Sequence, residues 1–180
     1  MTFTMASASL PTFTHYLGVV SSLLDKAEAH AAARKIDPEA LLGARLYPDM
    51  HDFRSQVQFA CDFAKGAVAR LGGVENPSYA DTEVTFDELR ARIAKTQAFI
   101  ASVDRSLIET AQDRPITLKF GKLNLSGNGA DYLVGFVVPS FVFHVSIAYA
   151  LLRHNGVDVG KLDFLGKLPG ITGIEQALAD

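Results

Sequence analysis

The chain has 180 residues, enough for one domain with a sizeable core, and its 48% hydrophobic and 21% charged content is an ordinary globular balance. The net charge of −3 is made of both signs spread along the chain, so no basic block marks a nucleic-acid surface. Cys61 is the single cysteine, which excludes an internal disulfide and fits a reducing compartment. The first basic residue is Lys26, so the N-terminus lacks the basic head of a secretory signal and a cytoplasmic protein is expected.

Four segments carry helical periodicity. Leu10, Phe13, Leu17, Val20, Leu24, Ala27 and Ala31 step by three and four and predict a helix over residues 5–35. Pro11 sits inside it or at its start, where a proline can kink a helix. Asp37-Pro38-Glu39 reads as an N-cap followed by a first-turn proline, the start of a short extra helix. Phe53, Val57, Ala60, Ala64, Val68 and Leu71 draw the stripe of a second helix over residues 49–72, stopped by Gly72-Gly73. Phe86, Leu89, Ile93, Thr96, Ile100 and Val103 predict a third over residues 85–103, opened by a capping box of Thr85 and Glu88.

The pattern then changes. Ile116, Leu118 and Phe120 alternate with polar residues, and Gly121-Lys122 separates them from Leu123 and Leu125. That predicts a β-hairpin over residues 115–126 with a type II′ turn, packed on the helices because a lone hairpin is marginal. Asn128 is the expected N-cap of a fourth helix over residues 129–155. The tail, residues 157–180, is Gly-rich and expected to wrap the bundle, with Ile174–Asp180 forming a last turn or fraying.

The fourth helix is apolar nearly all round. From Tyr132 to Leu152 it holds no Asp, Glu, Lys or Arg, a length that could cross a bilayer. Pro139, Ser140, His144 and Ser146 in its middle, and no basic cluster after it, favour a buried bundle helix instead. One stripe is Leu133, Val137, Ser140, His144, Ile147 and Leu151, and a second is Val134, Val138, Phe141, Val145, Ala148 and Leu152. Two apolar stripes predict either a central helix or one shared with a second copy.

Ser140 and His144 fall one turn apart on the first stripe. The preferred reading is a core histidine bonded to Ser140 or a neighbour, and the competing one is a metal ligand or acid/base group. His154 lies ten residues further on, about 15 Å along the axis and roughly 80° around it, so the two cannot share a metal on one straight helix. It precedes Asn155-Gly156 and suits a helix C-terminus. His15 is expected to be exposed, His30 on a flank and His51 in a first turn at the surface. Cys61 borders the second stripe and reads as inert. Asp62 and Gln58 lie on the flank of that helix, as solvated residues or as partners of a pocket. No phosphate loop, nucleophile elbow, HExxH or CxxC signal is present.

ARLYPDM (44–50), QVQFACDFAKGAVARLGG (56–73) and FHVSIAYALLRHNGVDVGKLDFLG (143–166), in this order around a hairpin, resemble the DinB/YfiT-like superfamily, within it a branch of uncharacterised bacterial proteins. The resemblance implies an all-α, up-down four-helix bundle with a small hairpin between helices three and four, often dimeric. Some members bind a divalent metal through three histidines, one from helix two and two from helix four spaced by four, and some of these are thiol-dependent transferases. Here His144 takes the second helix-four place, Ser140 stands where the other histidine would be, and residues 53–73 contain no histidine. Serine is a weak neutral ligand, so the metal site reads as degenerate. The expected protein is a non-catalytic or small-ligand-binding homodimer with no cofactor, no nucleic acid and no membrane. The alternative is a divergent metal-dependent enzyme of transferase or hydrolase type. In it His144 would serve as base or sole imidazole ligand of Zn, Ni, Mn or Fe in a central pocket with Ser140, Asp62 and Gln58.

Overall fold

A computed structural model describes residues 4–168 and 170–171. Helix α1 (Met5–Arg34) opens with a capping box of Thr4 and Ser7 and runs through Pro11. It stops at Lys35, which takes the left-handed conformation at φ 55°. Asp37 caps the short α2 (Pro38–Leu42), as the Asp-Pro-Glu signal implies. Helix α3 (Phe53–Gly72) starts four residues later than the predicted boundary at 49, because Asp52 is its N-cap and accepts a hydrogen bond from Ser55 N at 2.9 Å. Gly73 closes α3 at φ +65°.

Thr85 and Glu88 form the predicted capping box of α4 (Phe86–Ser102). A short α5 (Arg105–Glu109), capped by Asp104, follows it and has no counterpart among the predicted elements. Strands β1 (Pro115–Phe120) and β2 (Leu123–Asn128) pair antiparallel around Gly121-Lys122, with Gly121 at φ +58° and Lys122 not in the positive-φ region, as a type II′ turn requires.

The last long helix is continuous from Gly129 to His154 but not uniform. A turn of α6 (Gly129–Asp131), capped by Asn128, leads into a π-helical segment (Tyr132–Val137) and then α7 (Val138–His154). Val138 N–H bonds to Leu133 O, five residues back, which is the widened π spacing. Pro139 explains its position: a proline has no N–H to donate and its ring crowds the carbonyl four residues earlier, here Gly135, and a widened turn just upstream relieves that crowding.

The π segment shifts the phase of the helix. Leu133 and Val137 of the first predicted stripe are buried, but burial continues through Phe141, Val145, Ala148 and Leu152 of the second, joined by Leu151 of the first only in the last turn. Ser140 and His144 are displaced to a half-buried flank, correcting their expected place in the core. By length and composition this helix could cross a bilayer; α1 and α3 pack on it, and Val134 and Phe143 remain exposed.

The core is one cluster drawn from α1, α3, α4 and α7, with Phe13, Phe53 and Phe141 its largest fully buried side chains. The tail begins by wrapping the bundle. Helix α8 (Lys161–Leu165) lies on α1, where Phe164 meets Tyr16 and Tyr149, and Lys26 pairs with Asp163 at 2.6 Å. The ring of His15 bonds through Nε2 to Leu165 O at 2.7 Å, so His15 is half-buried under the tail, not exposed. Ile174–Asp180 lies outside the described residues.

Candidate functional site

His144 sits against α3 behind a wall of aromatic rings. Its ring stacks on Phe63 at 5.4 Å, with Phe59 at 5.1 Å and Phe143 at 5.3 Å. Its Nδ1 is 2.8 Å from Gln56 Oε1, while Gln56 Nε2 donates to His51 O at 3.0 Å. The His51 carbonyl can only accept, so it fixes the Gln56 amide, and Gln56 Oε1 in turn fixes the proton of His144 on Nδ1. Nε2 then carries a lone pair. Burial, with a smaller contribution from the charge of His51, lowers the His144 pKa from 6.5 to about 4.

That shift fixes a sign. Below pH 6.5 the unfolded chain takes up a proton at this position that the folded chain refuses until about pH 4. The stability that neutral His144 contributes is therefore fully present above pH 6.5 and lost as pH falls towards 4. Urea midpoints of the wild type and His144→Asn should diverge over that window, the wild type falling more steeply on acidification. Parallel pH profiles would show that the imidazole is not held neutral.

The other predicted site residues do not join His144. Ser140 Oγ donates to Phe136 O at 2.7 Å, within its own helix. Gln58, buried, donates from Nε2 to Glu83 Oε2 at 2.8 Å, and Asp62 pairs with Arg92 at 3.0 Å and Lys65 at 3.3 Å. Gln58 reaches the segment that precedes α4, and Asp62 reaches α4 itself. Among the described residues no three His, Cys, Asp or Glu side chains come together to hold a metal. One imidazole beside an amide and a committed hydroxyl does not fit a divalent transition-metal site.

Asp62 and Gln58 serve a different structure. The segment between α3 and α4, residues 74–84, is strapped across the bundle by buried cations. Arg92 bonds to Asp62, Asp81 and Glu83, each at 3.0 Å, and to Ala80 O at 3.1 Å. Lys65 donates to Pro77 O. The Tyr79 ring lies against Lys65, Lys95 and Arg92, at 4.2, 4.1 and 5.5 Å. Burial alone would raise the Glu83 carboxyl, but hydrogen bonds from Gln58 and Arg92 outweigh it and hold its pKa below the usual range. Cys61 behind them is fully buried, and its thiol is pushed up to about 12, so it is protonated and unreactive.

Between this strap, α3, the hairpin and the π segment lies an open cleft of ≈420 Å³. Phe59, Phe63, Tyr132 and Phe136 supply its aromatic surface, and Asp62, Lys65, Arg70 and Lys119 its charges. A smaller recess of ≈190 Å³ under the hairpin shares Leu118, Tyr132 and Phe136 with it. The π segment bears on this directly, because Tyr132 and Phe136 both lie within it and both face the cleft. His144 stands on the far side of the Phe59 and Phe63 wall.

Helices arranged this way, with a hairpin ahead of the last one, make a DinB-like bundle. A crystal structure of a DinB family member protein from Shewanella denitrificans is similar, with a TM-score of 0.83 and 35% sequence identity over 93% of this chain and 95% of that one. The chain belongs to the family described as "Domain of unknown function (DUF1993)", which matches residues 5–165. No curated protein matches it.

Proposed function

We propose that this DinB-like protein binds a small organic molecule in the cleft between α3, the strap, the hairpin and the π segment, and that it does so without a metal. The cleft carries this reading. It falls within the usual volume range of small-molecule sites, roughly 300–1,000 Å³, and combines aromatic walls with a few convergent polar groups. Catalysis centred on His144 is disfavoured by the same geometry. A base with a pKa of about 4 is weak at neutral pH, and an aromatic wall separates it from the cleft.

The test is a fragment titration followed by amide chemical shifts, beside Ser78→Trp. Ser78 is an exposed lining residue, so an indole there fills the cleft without disturbing the core. Fragments should perturb the backbone around Phe63, Leu118 and Tyr132 in the wild type and bind at least about tenfold more weakly to the variant, a loss of about 1.4 kcal/mol. Binding that survives Ser78→Trp, or perturbations confined to another surface, would sink the reading.

A further inference from the structure

We infer that the cleft takes a small aromatic carboxylate, and that Arg70 is the residue that holds its carboxylate group. This rests on the cleft being the ligand site, and names what the site selects.

The charged groups lining the cleft are three cations, Lys65, Arg70 and Lys119, and one carboxylate. Its one carboxylate, Asp62, is already held by Arg92 and Lys65, and Lys65 is occupied by Asp62 and the Pro77 carbonyl. Arg70 and Lys119 are left. Neither has a carboxylate within ion-pair distance among the described residues, and the Arg70 guanidinium donates from Nη1 to Tyr132 Oη at 3.1 Å. That bond has a second effect. With its oxygen accepting from Arg70, the Tyr132 hydroxyl turns its own proton elsewhere, adding a neutral donor beside the guanidinium. Burial raises the pKa of this phenol, so it stays protonated. A guanidinium and an ammonium with no carboxylate partner among the described residues, beside a phenol, are matched by a carboxylate.

Gly66 supplies independent support. It is buried in the interior of α3, where glycine weakens a helix. A Cβ there would stand 2.5 Å from Arg70 Nη1 and 3.7 Å from Asn76 Nδ2. The missing side chain is the seat of the Arg70 guanidinium, one turn further along the same helix. The rest of the ligand is specified by the walls. Phe63 and Phe136 meet edge to face at 5.7 Å, Tyr132 and Phe136 lie 6.1 Å apart, and the apolar recess opens beside them. These surfaces suit a flat ring.

The experiment is a calorimetric titration of the full chain with benzoate, phenylacetate and 2-naphthoate, each beside its primary amide. Acetate and inorganic phosphate serve as headgroup-only probes. Amide chemical shifts locate the binding. The acids should bind at least about tenfold tighter than their amides, since one charge-assisted fork is lost in the amide. Arg70→Gln should bring acid and amide to within about threefold of each other. Gly66→Ala should do the same while melting no lower than the wild type, which separates loss of the guanidinium seat from loss of fold. Acid and amide binding equally in the cleft would overturn the anion assignment and leave the cleft as a ligand site. Acetate or phosphate binding as tightly as 2-naphthoate would overturn the aromatic part. No probe reaching the cleft would overturn both readings.

Discussion

Arg92→Ala is expected to lower the unfolding free energy by about 3–5 kcal/mol, the range for removing one partner of a buried ion pair. The side chain is 1% exposed, and it holds three carboxylates and the Ala80 carbonyl at once. Asp62 and Asp81 are more open to water and can rehydrate, so most of the loss comes from Glu83, 13% exposed. The network is not fully satisfied even in the wild type, because Arg92 Nε is buried with no acceptor among the described residues. Urea denaturation gives the value. A companion variant identifies the cause: Arg92→Met with Glu83→Gln should recover a substantial part of the loss, because it removes the stranded charge together with its partner. A cost below about 1 kcal/mol for Arg92→Ala would mean that the network behaves as a surface one.

Phe141→Ala is expected to cost a similar amount, about 3–5 kcal/mol, for a different reason. Phe141 is fully buried and meets Phe13 of α1 edge to face, with ring centroids 5.1 Å apart. Truncation removes apolar area and leaves a cavity where α1 and α7 cross, which these rigid helices can only partly fill. Phe141→Leu should cost clearly less, because it keeps most of the volume. Phe13→Ala and Phe141→Ala combined should cost less than the two losses added, since the same contact is removed twice. Strict additivity, read from the same denaturation curves, would show that the two rings do not share a site.

What was legible in the sequence was local. Asp37, Thr85, Asn128 and Gly73 act through their own backbone, so each cap stands where its residue type placed it. The stripes of α1, α3 and α4 were readable because those helices keep one period throughout. The last helix does not. Its π segment moves the buried face from the Ser140 and His144 stripe onto the Phe141 and Val145 stripe, and a fixed 3.6-residue period cannot see that. Pro139 was the available signal, visible as a polar interruption and not as a phase change. The cleft was illegible because its walls come from two stretches of chain, residues 59–79 and 118–136, that are far apart in sequence. Asp62 and Gln58 stand out in the sequence as polar residues on a helix flank, but their partners Glu83 and Arg92 belong to the strap and α4. Gly66 followed four residues later by Arg70 was the one short-range trace of the cleft, and it reads as an ordinary helical weakness until the guanidinium is placed above it.

The fastening of the strap bears on how a ligand of the proposed kind would come and go. Residues 76–83 are tied by Arg92 from the interior of α4 and by Lys65 from α3, so they cannot swing aside as an independent flap. Lifting them would break the bonds of Arg92 to Ala80, Asp81 and Glu83 and of Lys65 to Pro77, and with them part of the cooperative fold. A ligand of the proposed kind would therefore enter through the open mouth, without a gating step. Its association would be limited by encounter and orientation, and its residence time by the strength of the contacts within, in contrast to enzymes whose turnover waits on a moving loop.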